Sequence, residues 1–428
     1  MRALFVSFLC LIGALVAPVG AMAQPAALDP IAREYVRLIL EIGAHEPGYV
    51  DAYYGPAEWR TEAEANPRSV ADLTVVAADL TARLTAVADD TLDARSLQRK
   101  QYLLAHVSSA ATRLRMIGGE RLGFADEAEA LFGVRPELKP LEAYDAVLAR
   151  IDQLLPGAGP IALRLGAVYG ELLVPNDRLD AVIRAGIAEC RRRTAEHIAL
   201  PEGETFTLEF VSNQPWGAYN YYKGDAVSLI QVNTDSGNRV SEAVTYGCHE
   251  GYPGHHVYNA LLEQTFVDGL GWVEMSVYPL YSPMSLIAEG SAEYGIELAF
   301  PGEERQAFEH DVLFPLAGLS PSTPEIGPEL SAALHELEGA QYTIADDYLS
   351  GRVDREATIA RLIKYQFTGR AGAEQMLSFI DTYRSYIINY GLGQDIVREW
   401  IEAQGPDHWA AMRTLLSSQM LPVNLLAR

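Results

Sequence analysis

The segment Cys248-His249-Glu250-Gly251-Tyr252-Pro253-Gly254-His255-His256 holds three of the chain's nine histidines and sets a glutamate beside the first of them. A second acidic pair, Glu289 and Glu293, follows in the stretch from Ile287 to Tyr294. Imidazoles plus a carboxylate form the ligand set of a catalytic Zn2+. An uncoordinated glutamate next to the first histidine is suited to shuttle the proton of a metal-activated water. The chemistry these residue types point to is zinc-dependent hydrolysis, with a peptide as the expected substrate.

The spacing decides which histidines can share an ion. In His-Glu-x-x-His the two imidazoles lie four residues apart, on one helical face. Here the fourth residue after His249 is Pro253, which cannot bind metal and disrupts a helix interior. On an unbroken helix, seven residues span about 10.5 Å of rise, which strains two imidazoles meeting at one ion. Pro253-Gly254 therefore reads as a two-residue insertion that bulges or breaks the helix. Removing it in thought restores the familiar spacing between His249 and His255, so His255 is preferred over His256 as second ligand. The third ligand should come from a following helix. Glu289 is the candidate, with Glu293 one turn later placed to orient a ligand imidazole from outside.

These residues need a scaffold, and its texture is helical. Apolar residues recur at three- and four-residue spacing over 31–42, 70–87, 96–117, 141–155 and 179–197, and again over 328–348, 355–367, 373–390 and 394–403. Pro328 suits a first helical turn, where a missing N–H costs nothing. One region departs from this. Thr205 to Val211 alternates with period two, and the stretches 218–222 and 228–233 flank a plausible turn at Lys223-Gly224-Asp225. The expectation is a mostly α protein with a small β-sheet just before the metal helix. An edge strand there could hold an extended peptide by main-chain pairing. No linker, repeat or low-complexity tract divides the chain, so residues 24–428 read as one domain.

The first 23 residues look like an export signal. Met1-Arg2 gives a positive start, Ala3 to Val16 is almost unbroken apolar sequence, and Ala21-Met22-Ala23 supplies a small-x-small cleavage site. That run is too short for a membrane anchor, and no later stretch reaches eighteen apolar residues. A periplasmic or secreted protein is expected. Without Arg2 there are 32 basic residues against 57 acidic ones, a net charge of −25. Such a surface disfavours nucleic acid and anionic membrane as partners. Cys190 and Cys248 remain after processing. One bridge between them is arithmetically possible, but two cysteines make no disulfide framework, and Cys248 reads better as a small buried residue.

His249-Glu250-Gly251-Tyr252-Pro253-Gly254-His255-His256 followed by Glu289-Gly290-Ser291-Ala292-Glu293-Tyr294 resembles a large bacterial family catalogued as a domain of unknown function. Its signatures run His-Glu-x-x-Pro-Gly-His and Glu-Gly-Trp-Ala-x-Tyr. That family is mostly helical and related to the gluzincin metallopeptidases, whose third zinc ligand is a glutamate. The resemblance extends over nearly all of the mature chain, including Asp51-Ala52-Tyr53-Tyr54-Gly55-Pro56. It implies a multi-helical, zincin-like fold, zinc at His249, His255 and Glu289, and Glu250 as general base. A further family segment, Gln-x-x-x-Tyr-x-x-Gly, is matched at Tyr390 and Gly393, but Tyr386 stands where the family has glutamine. Ser291 likewise replaces the usual tryptophan.

The expected reaction is peptide hydrolysis in which Glu250 takes the proton of the activated water and delivers it to the leaving amine. Tyr390 is the expected donor to the oxyanion. Arg370 could bind a substrate carboxylate, although an exposed arginine at a helix start is the plainer reading. Two other classes compete: a zinc hydrolase of non-peptide amides or esters, and a non-catalytic exported zinc-binding protein. A serine or cysteine hydrolase is disfavoured, because no Gly-x-Ser-x-Gly elbow occurs and Cys248 lacks a spaced partner.

Overall fold

The computed structural model describes residues 27–426 except Pro215 and Ser236; the expected export signal lies outside the described residues. The chain is mostly helical, as its periodicity predicts. Six helices carry the argument: α1 (Leu28–His45), α2 (Ala94–Ile117), α3 (Leu179–Ala195), α4 (His255–Leu262), α5 (Pro283–Ala299) and α6 (Gly391–Ala403). The buried face of α1, with Ile31, Tyr35, Leu38, Ile39 and Ile42, recurs at the helical period and packs into the core. Asp93 starts α2 by accepting a hydrogen bond from the Ser96 amide at 2.7 Å. Pro283 occupies the first turn of α5. No helix among the described residues is long and apolar enough to cross a membrane.

Two small sheets interrupt the helices. The expected one contains β2 (Thr205–Val211), β3 (Ala218–Gly224) and β4 (Val227–Asn233), in the order β2-β4-β3. Strand β2 runs parallel to β4, and β3 antiparallel to it. The turn joining β3 to β4 is Asp225-Ala226, one residue later than the sequence suggests, and both residues adopt positive φ. A second sheet pairs β1 (Val50–Tyr53) with β5 (Val277–Pro279), too short to leave a period-two signal. The expected helix over 373–390 ends at Tyr383 and tightens into a 3₁₀ segment, Arg384–Asn389. The expected helix over 328–348 is two, Pro328–Glu336 and Glu338–Leu349.

Two close helix contacts fix the centre of the molecule. Gly290 on α5 meets Gly393 on α6 backbone to backbone: a Cβ on Gly290 would lie 2.4 Å from the Gly393 carbonyl. On the other side, Cys190 of α3 and Cys248 are joined by a disulfide across a sequence separation of 58. Cys248 is therefore bridged, not merely the small buried residue preferred from the sequence; the bond that was arithmetically possible there forms because α3 and the His249 segment meet in three dimensions. Cys190→Ser should lower unfolding free energy by about 2–4 kcal/mol, the usual range for a native bridge. Urea denaturation of oxidised parent and variant would check this, and an unchanged midpoint would show the bond to be energetically idle.

Candidate metal centre

The chain approaches the site through a wide π-helical turn, Gly247–Gly251, which carries His249 and Glu250. The turn closes when the Tyr252 amide bonds to the Gly247 carbonyl at 3.0 Å and the Gly254 amide to that of Cys248 at 2.9 Å. Gly254 lies so close beneath the turn that a Cβ would sit 1.9 Å from the His249 carbonyl. Only glycine fits there. The helix then restarts as α4 with His255 as its first residue. The insertion expected at Pro253-Gly254 is thus a break followed by a restart, which swings His255 back towards His249.

The two Nε2 atoms are 3.1 Å apart. Glu289 on α5 completes the group, its Oε2 lying 3.3 Å from His249 Nε2 and its Oε1 3.6 Å from His255 Nε2. Donors held about 2.05 Å from one tetrahedral zinc lie roughly 3.3–3.4 Å from each other. The donor set has that spacing, and Glu289 Oε2 is buried with no hydrogen-bond partner of its own. The residues present therefore fit a zinc ion bound by His249, His255 and Glu289.

The surroundings hold these donors in place. Glu293 Oε1 lies 3.2 Å from His249 Nδ1, as an ion-pair contact rather than an aligned hydrogen bond. Asn259 bonds the His255 carbonyl at 2.9 Å and Asn220 the Glu250 carbonyl at 2.6 Å. Burial raises the Glu289 carboxyl, but the His255 and His249 imidazoles outweigh it and hold the group well below its usual range. Burial pushes the His249 ring down, yet Glu289 and Glu293 carry it above its ordinary value. Glu250 is raised, chiefly by burial. Its carboxylate faces the same cavity and takes no hydrogen bond among the described residues.

The structure separates His256 from this group. Its Nδ1 is 2.8 Å from Ser228 Oγ on β4, and its Nε2 is 3.0 Å from Glu204 Oε2, which also accepts from the Tyr252 hydroxyl, while Arg191 donates to Glu204 Oε1. His256 ties the His249–His256 segment to the sheet. Arg370 is also elsewhere, exposed and paired with Glu356 and Glu374.

Tyr390 lines the cavity, its ring stacked 6.5 Å from that of His249, and its hydroxyl makes no hydrogen bond among the described residues. Tyr386, which departs from the family pattern, donates to Glu289 Oε1 at 2.7 Å. The sequence reading missed that role; the four-residue spacing of Tyr386 and Tyr390, one turn apart, was the available signal. Tyr386→Phe should weaken zinc affinity about 10- to 100-fold, as expected for loss of an outer contact to a ligand. Competition with a zinc chelator would measure it, and unchanged affinity would demote Tyr386 to packing.

The cavity measures about 380 Å³ and is walled by the donors, by Asp51 of β1, by Tyr219 and Tyr221 of β3, and by further tyrosines from the C-terminal segment. A larger cleft of about 1200 Å³ lies across α5 and touches the motif at Glu293 and Tyr294. Its charged lining includes settled pairs, His335 with Asp395 at 2.9 Å and Arg398 with Glu297 at 2.6 Å.

No protein-family model matches the chain, and no curated protein matches it by sequence. Among solved structures it is similar to a candidate lipoprotein from Colwellia psychrerythraea, at 15% identity and a TM-score of 0.54. That match covers 83% of this chain and 65% of the other, so the chain spans just under two thirds of that protein. A candidate lipoprotein of unknown function from Shewanella oneidensis aligns at 14% identity and TM-score 0.48, over 86% and 75% of the two chains. An M32 carboxypeptidase from Deinococcus radiodurans R1 aligns at 13% identity and TM-score 0.37, over 91% and 89%. The first likeness concerns the fold alone, and the other two are too distant to add to it.

Proposed function

We propose that the chain is an exported zinc-dependent peptidase of the gluzincin type, acting on short peptides. Membership of the bacterial family it resembles belongs to the same proposal. The observation that carries it is the convergence of His249 Nε2, His255 Nε2 and the Glu289 carboxylate in one cavity, beside a free Glu250. Zinc, when bound, supplies Lewis acidity that lowers the pKa of a water and polarises a carbonyl. Glu250 accepts the water's proton on its carboxylate, which burial has already made more basic than usual. It returns that proton to the leaving nitrogen. Tyr390 offers its unengaged hydroxyl to the oxygen that gains charge. Tyr386 and Glu293 keep the donors oriented. Among the described residues no further strand pairs with either outer strand of the three-stranded sheet, and β3 is the one beside the cavity, where an extended backbone could pair.

Zinc content of the purified protein, measured by mass spectrometry, followed by turnover on a mixed peptide library, tests the reading. Zinc with peptide turnover supports it. Turnover confined to non-peptide amides or esters would move the protein to a different hydrolase class. Zinc without turnover of either kind would leave a metal-binding protein.

A further inference from the structure

We propose that Asp51 is the anchor for a primary ammonium group of the substrate, so that the cavity selects peptides by a positive charge. This rests on the peptidase reading and names the substrate feature it requires.

No lysine or arginine is among the residues that line the cavity. Its carboxylates are Glu46, Asp51, Glu250 and Glu289, and three of them have other work. Arg113 holds Glu46, with its Nε 2.8 Å from Oε2. Glu289 belongs to the donor set and Glu250 to proton transfer. Asp51 is left without a cationic partner among the described residues; its one hydrogen bond comes from the Tyr219 hydroxyl to Oδ1. The sequence places it on β1, and the β1–β5 pairing sets that strand at the cavity wall, facing β3.

The wall beside Asp51 is aromatic. The rings of Trp216 and Tyr219 are 5.6 Å apart, and those of Tyr219 and Tyr221 are 4.5 Å apart. Aromatic faces next to a carboxylate suit an ammonium, which gains ion pairing and cation–π attraction together. A substrate carboxylate finds the opposite: no lysine or arginine to pair with, and the charges of Asp51 and Glu250 to repel it. The cavity thus favours the amino end of a peptide, or a lysine side chain, over the carboxyl end. At about 380 Å³ it lies near the small end of small-molecule sites, which also suits a chain terminus.

The test uses three amidated peptides: Ala-Ala with a free amine, N-acetyl-Ala-Ala, and N-acetyl-Lys-Ala. Binding is measured by calorimetry to zinc-loaded Glu250→Gln protein and to the zinc-free parent. Hydrolysis is measured with the active parent. Free Ala-Ala should bind at least about tenfold more tightly than its acetylated form, a difference of about 1.4 kcal/mol. Asp51→Asn should remove that difference while leaving N-acetyl-Ala-Ala binding unchanged. Recovery with N-acetyl-Lys-Ala would assign the anchor to a side-chain ammonium, and failure to recover would assign it to the α-amine. Equal binding of free and acetylated Ala-Ala overturns the proposal, as does an Asp51→Asn variant that weakens both alike. Hydrolysis of acetylated and free peptides at one rate would sink this inference and leave the peptidase reading standing. A zinc-loaded parent that hydrolyses none of the peptides would sink both.

Discussion

Replacing Glu250 with glutamine should slow peptide hydrolysis by at least about a hundredfold, with fold and zinc content close to the parent's. Glutamine keeps the shape of the side chain and removes its ability to accept a proton. Glu250 adjoins a donor, but its carboxylate is not in the donor group, and its backbone contact to Asn220 survives the change. The group is also buried, so no bulk buffer stands ready to replace it. Zinc analysis, circular dichroism and steady-state kinetics on one preparation would give the three readouts. Parent-like hydrolysis by the variant would end the general-base mechanism, whatever its metal content.

The second large effect concerns metal affinity, and it separates adjacent histidines. His255→Ala should lose most bound zinc, with affinity falling by more than the 10- to 100-fold typical of outer contacts. His249→Ala and Glu289→Ala should behave alike. His256→Ala should keep its zinc and lose stability instead, by about 1–3 kcal/mol, because Glu204 and Ser228 would each be left short of a buried partner. Zinc content after dialysis and a denaturation midpoint, measured on all four variants, would decide it. A His256→Ala protein that comes out empty while His255→Ala remains loaded would show the register across Pro253-Gly254 to be wrong.

Much of this arrangement was legible before any coordinates. The pairing of His249 with His255 follows from a spacing rule and one proline, because ligand geometry on a helix is local, whereas Glu289 was legible only as a carboxylate expected on a following helix. The long helices were legible for the same reason. What escaped is what depends on distant segments. Asp51 sits on a strand of four residues whose partner is over two hundred positions away. Tyr386 reaches Glu289 only because a 3₁₀ turn redirects the chain after Tyr383. Helix 391–403 was expected to start at Gln394; its true first turn, with Gly391 and Gly393, carries too few apolar side chains to show the period. The Cys190–Cys248 bond was arithmetic in the sequence and became a fact only once α3 lay against the metal segment.

The contact between Gly290 and Gly393 has a mechanical consequence. With no side chains between the two backbones there is no compliant layer to slide, so α5 and α6 move as one stiff body. Glu289 rides on one side of that body, and Tyr386 and Tyr390 lead directly into the other. The part of the cavity that holds Glu289, Tyr386 and Tyr390 is therefore its unyielding part. Room for a bulkier guest has to come from the opposite wall, where Asp51, Trp216 and β3 meet through side chains. Changes meant to widen the range of accepted molecules belong on that softer wall, and changes at Gly290 or Gly393 would shift Glu289, Tyr386 and Tyr390 together.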